Sequence, residues 1–289
     1  MYIECLERRI LGATVERARL QSPFLLRSVT PPIADAHGRT VASIERMGKR
    51  IVIGLQGDLY LVFHLMIAGR FRWRETGAVV PKKLGLAAFD FSTGTLLLTE
   101  AGTKKQASLH VVGSRAGLEE HDRGGLEVME ASLRAFADAL RAQNRTLKRA
   151  MTAPRTLSGI GNAYSDEILH AARLSPLQLT RNLHETEMRR LFDATQTTLN
   201  LWLEKTREEV GDGFPEKVTA FREGMAVHGR YGQPCPVCGS PIQRIVYVRN
   251  ETNYCATCQT DGRLLADRAF SRLLKKDWPK TLEAWMDGD

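Results

Sequence analysis

Four of the five cysteines stand in a pattern that can hold a metal. Cys235 and Cys238, then Cys255 and Cys258, form two C-x2-C pairs separated by sixteen residues. Thiolates are soft ligands, and a two-residue loop lets both sulfurs of a pair reach one ion at about 2.3 Å. Four thiolates leave no coordination position for water, so the expected ion is a single structural Zn²⁺. Four buried or redox cysteines are the competing reading. Between the pairs runs PIQRIVYVRNETNY, which contains Arg244, Ile245, Tyr247 and Arg249. It reads as a β-hairpin hung from the metal. Cys5 stands apart and reads as a buried helix residue.

A second group could bind phosphate. Arg141, Arg145, Lys148, Arg149 and Arg155 fall in a stretch with no acid before Asp166. The stretch runs into Ser158-Gly159-Ile160-Gly161-Asn162, a glycine-rich turn that opens a helix. A helix N-terminus presents free N–H groups and the positive end of its dipole to an anion. The Asn162 side chain adds a donor. A solvated helix face followed by a tight turn explains the same residues equally well.

These groups need elements to position them. Tyr2 to Leu11 reads as a short helix with Ile3, Leu6 and Ile10 on one face, stopped by Gly12. From Ala13 to Val112 the pattern is short β-type runs, including Thr40 to Arg46, Arg50 to Leu55 and Leu59 to Leu65. Ala87 to Phe91 and Thr95 to Thr99 read as a further hairpin, and the whole region as a sandwich. Beyond Gly124-Gly125 the period becomes helical. Leu126, Met129, Leu133, Phe136 and Leu140 form one stripe; Met188, Leu191, Thr195, Leu199 and Trp202 form another. Tyr164 to Ala172 is a shorter helix, and the tail is expected to be helical up to Asp277. The expectation is a multi-domain α+β chain: a β-sandwich over 1–115, a helical domain over 116–228, a zinc finger over 229–262 and a tail over 263–289.

Composition narrows the function classes. The 289 residues are 43% hydrophobic and 26% charged, which excludes a collagen, a coiled-coil rod and a mostly disordered chain. Lysine and arginine total 41 against 33 acids, a net charge of +8 that suits a polyanionic partner. No run of about 18 apolar residues exists to span a membrane. The start, MYIECLERR, has no signal-peptide core. A cytoplasmic, nucleoid-associated monomer of bacterial type is the expectation.

Together the pieces resemble the formamidopyrimidine-DNA glycosylase / endonuclease VIII family of DNA repair enzymes. TLSGIGNAYSDEIL, residues 156–169, looks like that family's helix–two-turns–helix motif. HGRYGQPCPVCGSPI with NYCATCQ looks like its zinc finger, and RMGKRIVIGL with HLMIAGR looks like its β-sandwich. The resemblance implies a base-excision enzyme that flips an oxidised base out of duplex DNA. An N-terminal proline amine attacks the sugar and forms a Schiff base, the next residue, a glutamate, is the acid/base group, and AP lyase chemistry nicks the strand. Lys49 matches the lysine that contacts phosphate and assists β-elimination. Asn162 matches the asparagine that grips the backbone, Arg155 joins it in the DNA-binding set, and Cys235, Cys238, Cys255 and Cys258 match the zinc ligands. An ordinary hairpin lysine and a helix-capping asparagine are the alternatives for Lys49 and Asn162.

Three departures qualify the resemblance. The chain begins Met1-Tyr2-Ile3-Glu4, whereas the family begins with Pro-Glu; aligning Gly12 implies seven or eight missing residues, and truncation is the expectation. A non-catalytic damaged-DNA binder of the same fold is the alternative. The family's hairpin arginine, a residue of δ-elimination, falls at Asn250, with Arg249 beside it as the replacement. The residue that fills the void left by the flipped base falls at Ile67, an apolar wedge of suitable size. The later loop, TEAGTKKQASLH, lacks the family's Arg-x-Phe and offers Lys104 and Lys105 to phosphate instead.

Overall fold

In the computed structural model, residues 1–216, 218–219, 221–248, 250–266, 273 and 279–286 are described. Arg249, Trp278 and most of the tail helix expected up to Asp277 lie outside them. The chain divides into two compact units, Met1–Arg123 with Leu203–Val218, and Gly124–Trp202 with Thr219–Asp289. Residues 203–218, which the helical period assigns to the middle domain, thus cluster with the first unit.

The first unit starts with α1 (Tyr2–Ile10), whose Cys5, Leu6 and Ile10 are fully buried. The alternating region forms β1 (Val15–Leu20), β2 (Val41–Met47), β3 (Arg50–Leu55), β4 (Leu59–His64), β5 (Gly69–Arg74), β6 (Gly85–Phe91), β7 (Gly94–Glu100) and β8 (Ser108–Val112). They make two four-stranded antiparallel sheets, ordered β1-β6-β7-β5 and β2-β3-β4-β8. Ile51, Ile53, Leu61 and Phe63 of the second sheet share one core with Phe71, Phe89, Leu96 and Leu98 of the first. The Phe63 ring meets Phe71 and Phe89 edge-on, each at 5.2 Å. Such pairs add about 0.5–1.5 kcal/mol to the area they bury. The other face of the second sheet buries Val52, Val62 and Val112 with Leu118 of α2 (Arg115–Glu119).

The second unit carries α3 (Leu133–Arg141), α4 (Leu147–Thr152) and α5 (Asn162–Ala171). It also holds the first part of the long α6 (Glu185–Val210). Met188, Leu191, Thr195 and Trp202 are buried, as their spacing implies. The Leu126–Leu140 stripe is a helix only from Leu133. Leu126 instead bonds across to the turn before α5, donating to Thr156 O at 3.1 Å and accepting from Ser158 N–H at 2.8 Å. The Ser132 hydroxyl then accepts from Ala135 N–H at 3.2 Å and starts α3. Beyond lie the hairpin β9 (Ile242–Val246) and β10 (Glu251–Cys255), α7 (Ala256–Thr260) and α8 (Leu282–Met286).

Candidate metal centre and nucleic-acid interface

The metal site is built by two tight turns facing each other. Cys235 and Cys238 flank the turn before β9, and Cys255 and Cys258 flank the entry to α7. The four sulfurs lie within 4.8 Å of one another. Cys235 Sγ is 3.9 Å from Cys258 Sγ, and Cys238 Sγ is 3.4 Å from Cys255 Sγ. A tetrahedron with metal–sulfur bonds of about 2.3 Å has edges of about 3.8 Å, so the cluster has the size that zinc needs. Backbone N–H groups of Val237 and Cys258 point at Cys235 Sγ and Cys255 Sγ, at 3.5 and 3.4 Å, as suits negative sulfur. The donor set fits one structural Zn²⁺. Sequence spacing finds these ligands but misses a neighbour: buried His170 of α5 places Nε2 3.3 Å from Cys235 Sγ.

The hairpin between the cysteine pairs matches Thr252 with Ile245 and Tyr254 with Gln243. Ile245 and Tyr254 are buried with Leu264, Leu265 and Leu282. The Tyr254 hydroxyl accepts from Leu265 N–H at 2.8 Å. Toward the turn the apolar side chains come out: Val246, Tyr247 and Val248 are exposed. Arg244 stacks on Tyr231 at 4.3 Å and faces Glu251 at 3.6 Å.

In the same unit the glycine-rich turn leads into α5. Gly159 has φ +80°, a left-handed conformation that favours glycine. Gly161 is the residue preceding the helix, and Asn162 is the first residue inside it. Asn162 therefore is no cap. Its Nδ2 donates to Glu251 O of β10 at 2.8 Å, tying the turn to the finger hairpin. Arg145, Arg149 and Arg155 are exposed. Arg141 pairs with Glu185 at 2.8 Å.

Lys148 departs from the basic face expected of its neighbours. It is 7% exposed, and Nζ donates to Asp166 Oδ1 at 2.6 Å and to Asn162 O at 2.8 Å. Burial lowers its pKa, and the Asp166 carboxylate works in the opposite direction. Asp166 Oδ2 lies 2.8 Å from His228 Nδ1. The adjoining Glu167 accepts N–H bonds from Ala226, Val227 and His228 at 2.7–2.9 Å. No periodicity marks this buried set; the Asp-Glu pair just inside a helix that follows a glycine turn is its only sequence trace.

In the first unit Lys49 sits at the tip of the β2–β3 connection. Met47 pairs with Arg50, so Gly48 and Lys49 make the turn, and Gly48 supplies the left-handed φ of +61°. Lys49 is exposed, yet enough protein surrounds its ammonium that burial lowers its pKa. Arg50 pairs directly with His64 across β3–β4. Burial, then Arg50 and Lys49, hold the His64 imidazole below its ordinary pKa. Its Nδ1 accepts from Met66 N–H at 3.1 Å, which leaves the ring proton on Nε2 as a donor. Lys49 and His64 thus bring a cation and a neutral N–H donor to one end of the second sheet.

Ile67 tops the β4–β5 turn and is 79% exposed. The turn needs Gly69, whose N–H donates to Leu65 O at 2.9 Å; a Cβ there would stand 2.2 Å from that oxygen. Of the two lysines expected to face phosphate, Lys105 donates to Glu100 O, whereas Lys104 is exposed. Glu4 is committed to Arg207 at 2.6 Å, which holds its carboxyl below the usual range.

Comparison with known proteins places these features in one lineage. Three family models match in order. They are the formamidopyrimidine-DNA glycosylase N-terminal domain over residues 1–116, its H2TH domain over 126–211, and the zinc finger found in FPG and IleRS over 232–260. The formamidopyrimidine-DNA glycosylase of Thermus thermophilus is 32% identical over 266 residues, 88% of this chain and 93% of that protein. The crystal structure of the MutM (FPG) protein of that species superposes with a TM-score of 0.73 at 31% identity, covering 89% of this chain and 97% of the other. The Lactococcus lactis Fpg in complex with a Fapy-dG-containing DNA shares the fold, with a TM-score of 0.78 at 23% identity over 90% of this chain and 97% of that one. A zinc-bearing finger, a glycine-turn asparagine bonded to its hairpin and a turn-tip lysine on a β-sandwich, with sequence relatedness along nearly the whole length, make this chain a member of the formamidopyrimidine-DNA glycosylase family.

Proposed function

We propose that the protein is a base-excision-repair DNA glycosylase with AP lyase activity, acting on oxidised bases in duplex DNA. The observation that carries this reading is the bond from Asn162 Nδ2 to Glu251 O. It makes the glycine turn and the zinc-finger hairpin one rigid grip for a DNA backbone. Lys49 supplies a cation and His64 an Nε2–H donor for phosphate oxygens. Ile67 is the apolar wedge that enters the stack when a base is flipped. Arg155 adds phosphate contact, and Arg249 is assigned to the hairpin's phosphate contact and to δ-elimination by its place in the sequence.

Zinc shapes the finger and takes no part in the bond-breaking step, because its four sulfur ligands fill its coordination. Lyase chemistry needs an amine nucleophile and an acid/base carboxylate. Glu4, held by Arg207, is not that carboxylate. The family resemblance assigns both to an N-terminal Pro-Glu, which is the dipeptide the test below supplies. An N-terminal amine has a pKa near neutral, so a large share of it is unprotonated and nucleophilic.

Borohydride trapping on abasic-site duplex tests this, with the 289-residue chain and with a version carrying a Pro-Glu leader. A covalent adduct with the leader version is the expected result. Tight binding without an adduct from either version would replace the enzyme with a damaged-DNA binder.

A further inference from the structure

The grip described above is formed by Asn162 and the hairpin, and buried charges lie directly behind them. We infer that Asp166 is a positioning residue for Asn162, acting through a closed ring of hydrogen bonds that runs from α4 through α5 to the finger. In one direction, Asp166 Oδ1 accepts from Lys148 Nζ at 2.6 Å, and the same ammonium donates to Asn162 O at 2.8 Å. Asn162 Nδ2 continues the ring to Glu251 O at 2.8 Å. Glu251 Oε1 accepts from Asn253 Nδ2 at 3.1 Å, and Asn253 Oδ1 accepts from Gly229 N–H at 2.8 Å. Gly229 follows His228, whose Nδ1 lies 2.8 Å from Asp166 Oδ2 and closes the circuit.

Burial gives the ring its stiffness. Asp166 is 1% exposed, His228 6% and Asn253 1%. At the two links to Asp166 water is not at hand to replace a broken bond, so a shift of Lys148 or His228 leaves a buried polar group unpaired. The backbone on the finger side is pinned again by Glu167, whose carboxylate takes three successive N–H groups, and Phe221 stacks on His228 at 5.3 Å. Both ends of Asn162 are thereby held: its carbonyl through Lys148, its amide through Glu251. A buried charged pair adds little net stability over an apolar pair of the same size. Its contribution here is direction, because each carboxylate oxygen of Asp166 serves one arm of the ring.

Asp166→Asn keeps the shape and spoils one arm, since an amide presents one acceptor where the carboxylate presents two. The inference rests on the proposed DNA grip, so its test is a double-mutant cycle with Asn162→Ala. The measurement is the affinity of the full-length, zinc-loaded protein for a duplex containing a tetrahydrofuran abasic site. Each single change is expected to weaken binding about tenfold, and the double variant to be no weaker than Asn162→Ala within about twofold. Losses that multiply to about a hundredfold, or an Asp166→Asn protein that binds normally, overturn the positioning role and leave the grip intact. Normal binding by Asn162→Ala overturns the grip and the positioning role together. If Asp166→Asn does not fold, His228→Phe cuts the other arm while keeping a ring against Phe221, and the same cycle applies.

Discussion

Removing the zinc should dismantle the finger and with it the DNA grip. The apolar side chains buried directly beside the sulfurs are Val227 and Ile242. Together they contribute about 3–6 kcal/mol of burial. A structural zinc held by thiolates contributes about 10–16 kcal/mol at neutral pH. The metal therefore stabilises the cysteine end of the finger more than the two side chains beside it do, and a two-stranded ribbon such as β9–β10 is marginal in water without support. Once the finger loosens, Glu251 O no longer meets Asn162 and Gly229 no longer meets Asn253, so both halves of the grip lose their reference points. The assay is hydrogen exchange over Ile242–Val246 and Glu251–Cys255 while a chelator strips the metal, with duplex binding followed by fluorescence anisotropy in the same samples. Protection should vanish from both strands as zinc is released, and specific binding should go with it. Full zinc release with the strands still protected and affinity unchanged would refute the reasoning.

Two further outcomes are expected. Lys49→Ala should weaken duplex binding and flatten the plot of log K against log salt by about one unit, the signature of one phosphate contact; an unchanged slope would move Lys49 out of the interface. Acid should destabilise the first unit through its histidines. Burial and nearby positive charge hold His64, His110 and His121 below the ordinary imidazole pKa, with Arg50 acting on all three. The unfolded chain then binds protons more readily than the folded one. Their contribution is complete above about pH 6.5 and is lost as pH falls through the lowered values. The His110 and His121 rings also touch, at 4.7 Å. Replacing both with Asn should shallow the fall in Tm between about pH 7.5 and 5, the range in which imidazoles titrate, and an identical fall in the variant would exclude them as its source.

Local rules made much of this molecule legible. The apolar run Arg50–Leu55 marked β3, and x2 spacing marked the metal ligands. The stripe through Met188 and Trp202 marked the buried face of α6. The failures share a cause. Leu126 and Met129 continue the helical period of α3, but Leu126 is taken by a backbone bridge to Leu157, thirty-one residues away, and Met129 lies in the turn that follows. Lys148 reads as one more solvated lysine because its partners, Asp166 and Asn162, come from a different helix. His170 stands beside Cys235 across sixty-five residues of chain. Periodicity reports which face is buried; it carries no information on which distant group a buried polar atom will meet.

The division of the chain into interleaved units has a consequence for synthesis on the ribosome. The first unit is not complete when its strands have been made. Its closing piece, Leu203–Val218, emerges only after the core helices of the second unit. Until then α1, whose Leu6 and Ile10 already pack into the sandwich core, lacks its remaining partners: Phe214 packs against Tyr2 at 5.7 Å, and Arg9 donates to the carbonyls of Asp212 and Gly213 at 2.9 and 2.8 Å. Glu216, the acid that faces Arg72 and Arg74, belongs to the same late piece. The nascent β-sandwich therefore waits with one flank of its N-terminal helix uncovered while roughly eighty residues are added, and it is sealed by a segment translated after the helix–two-turns–helix motif.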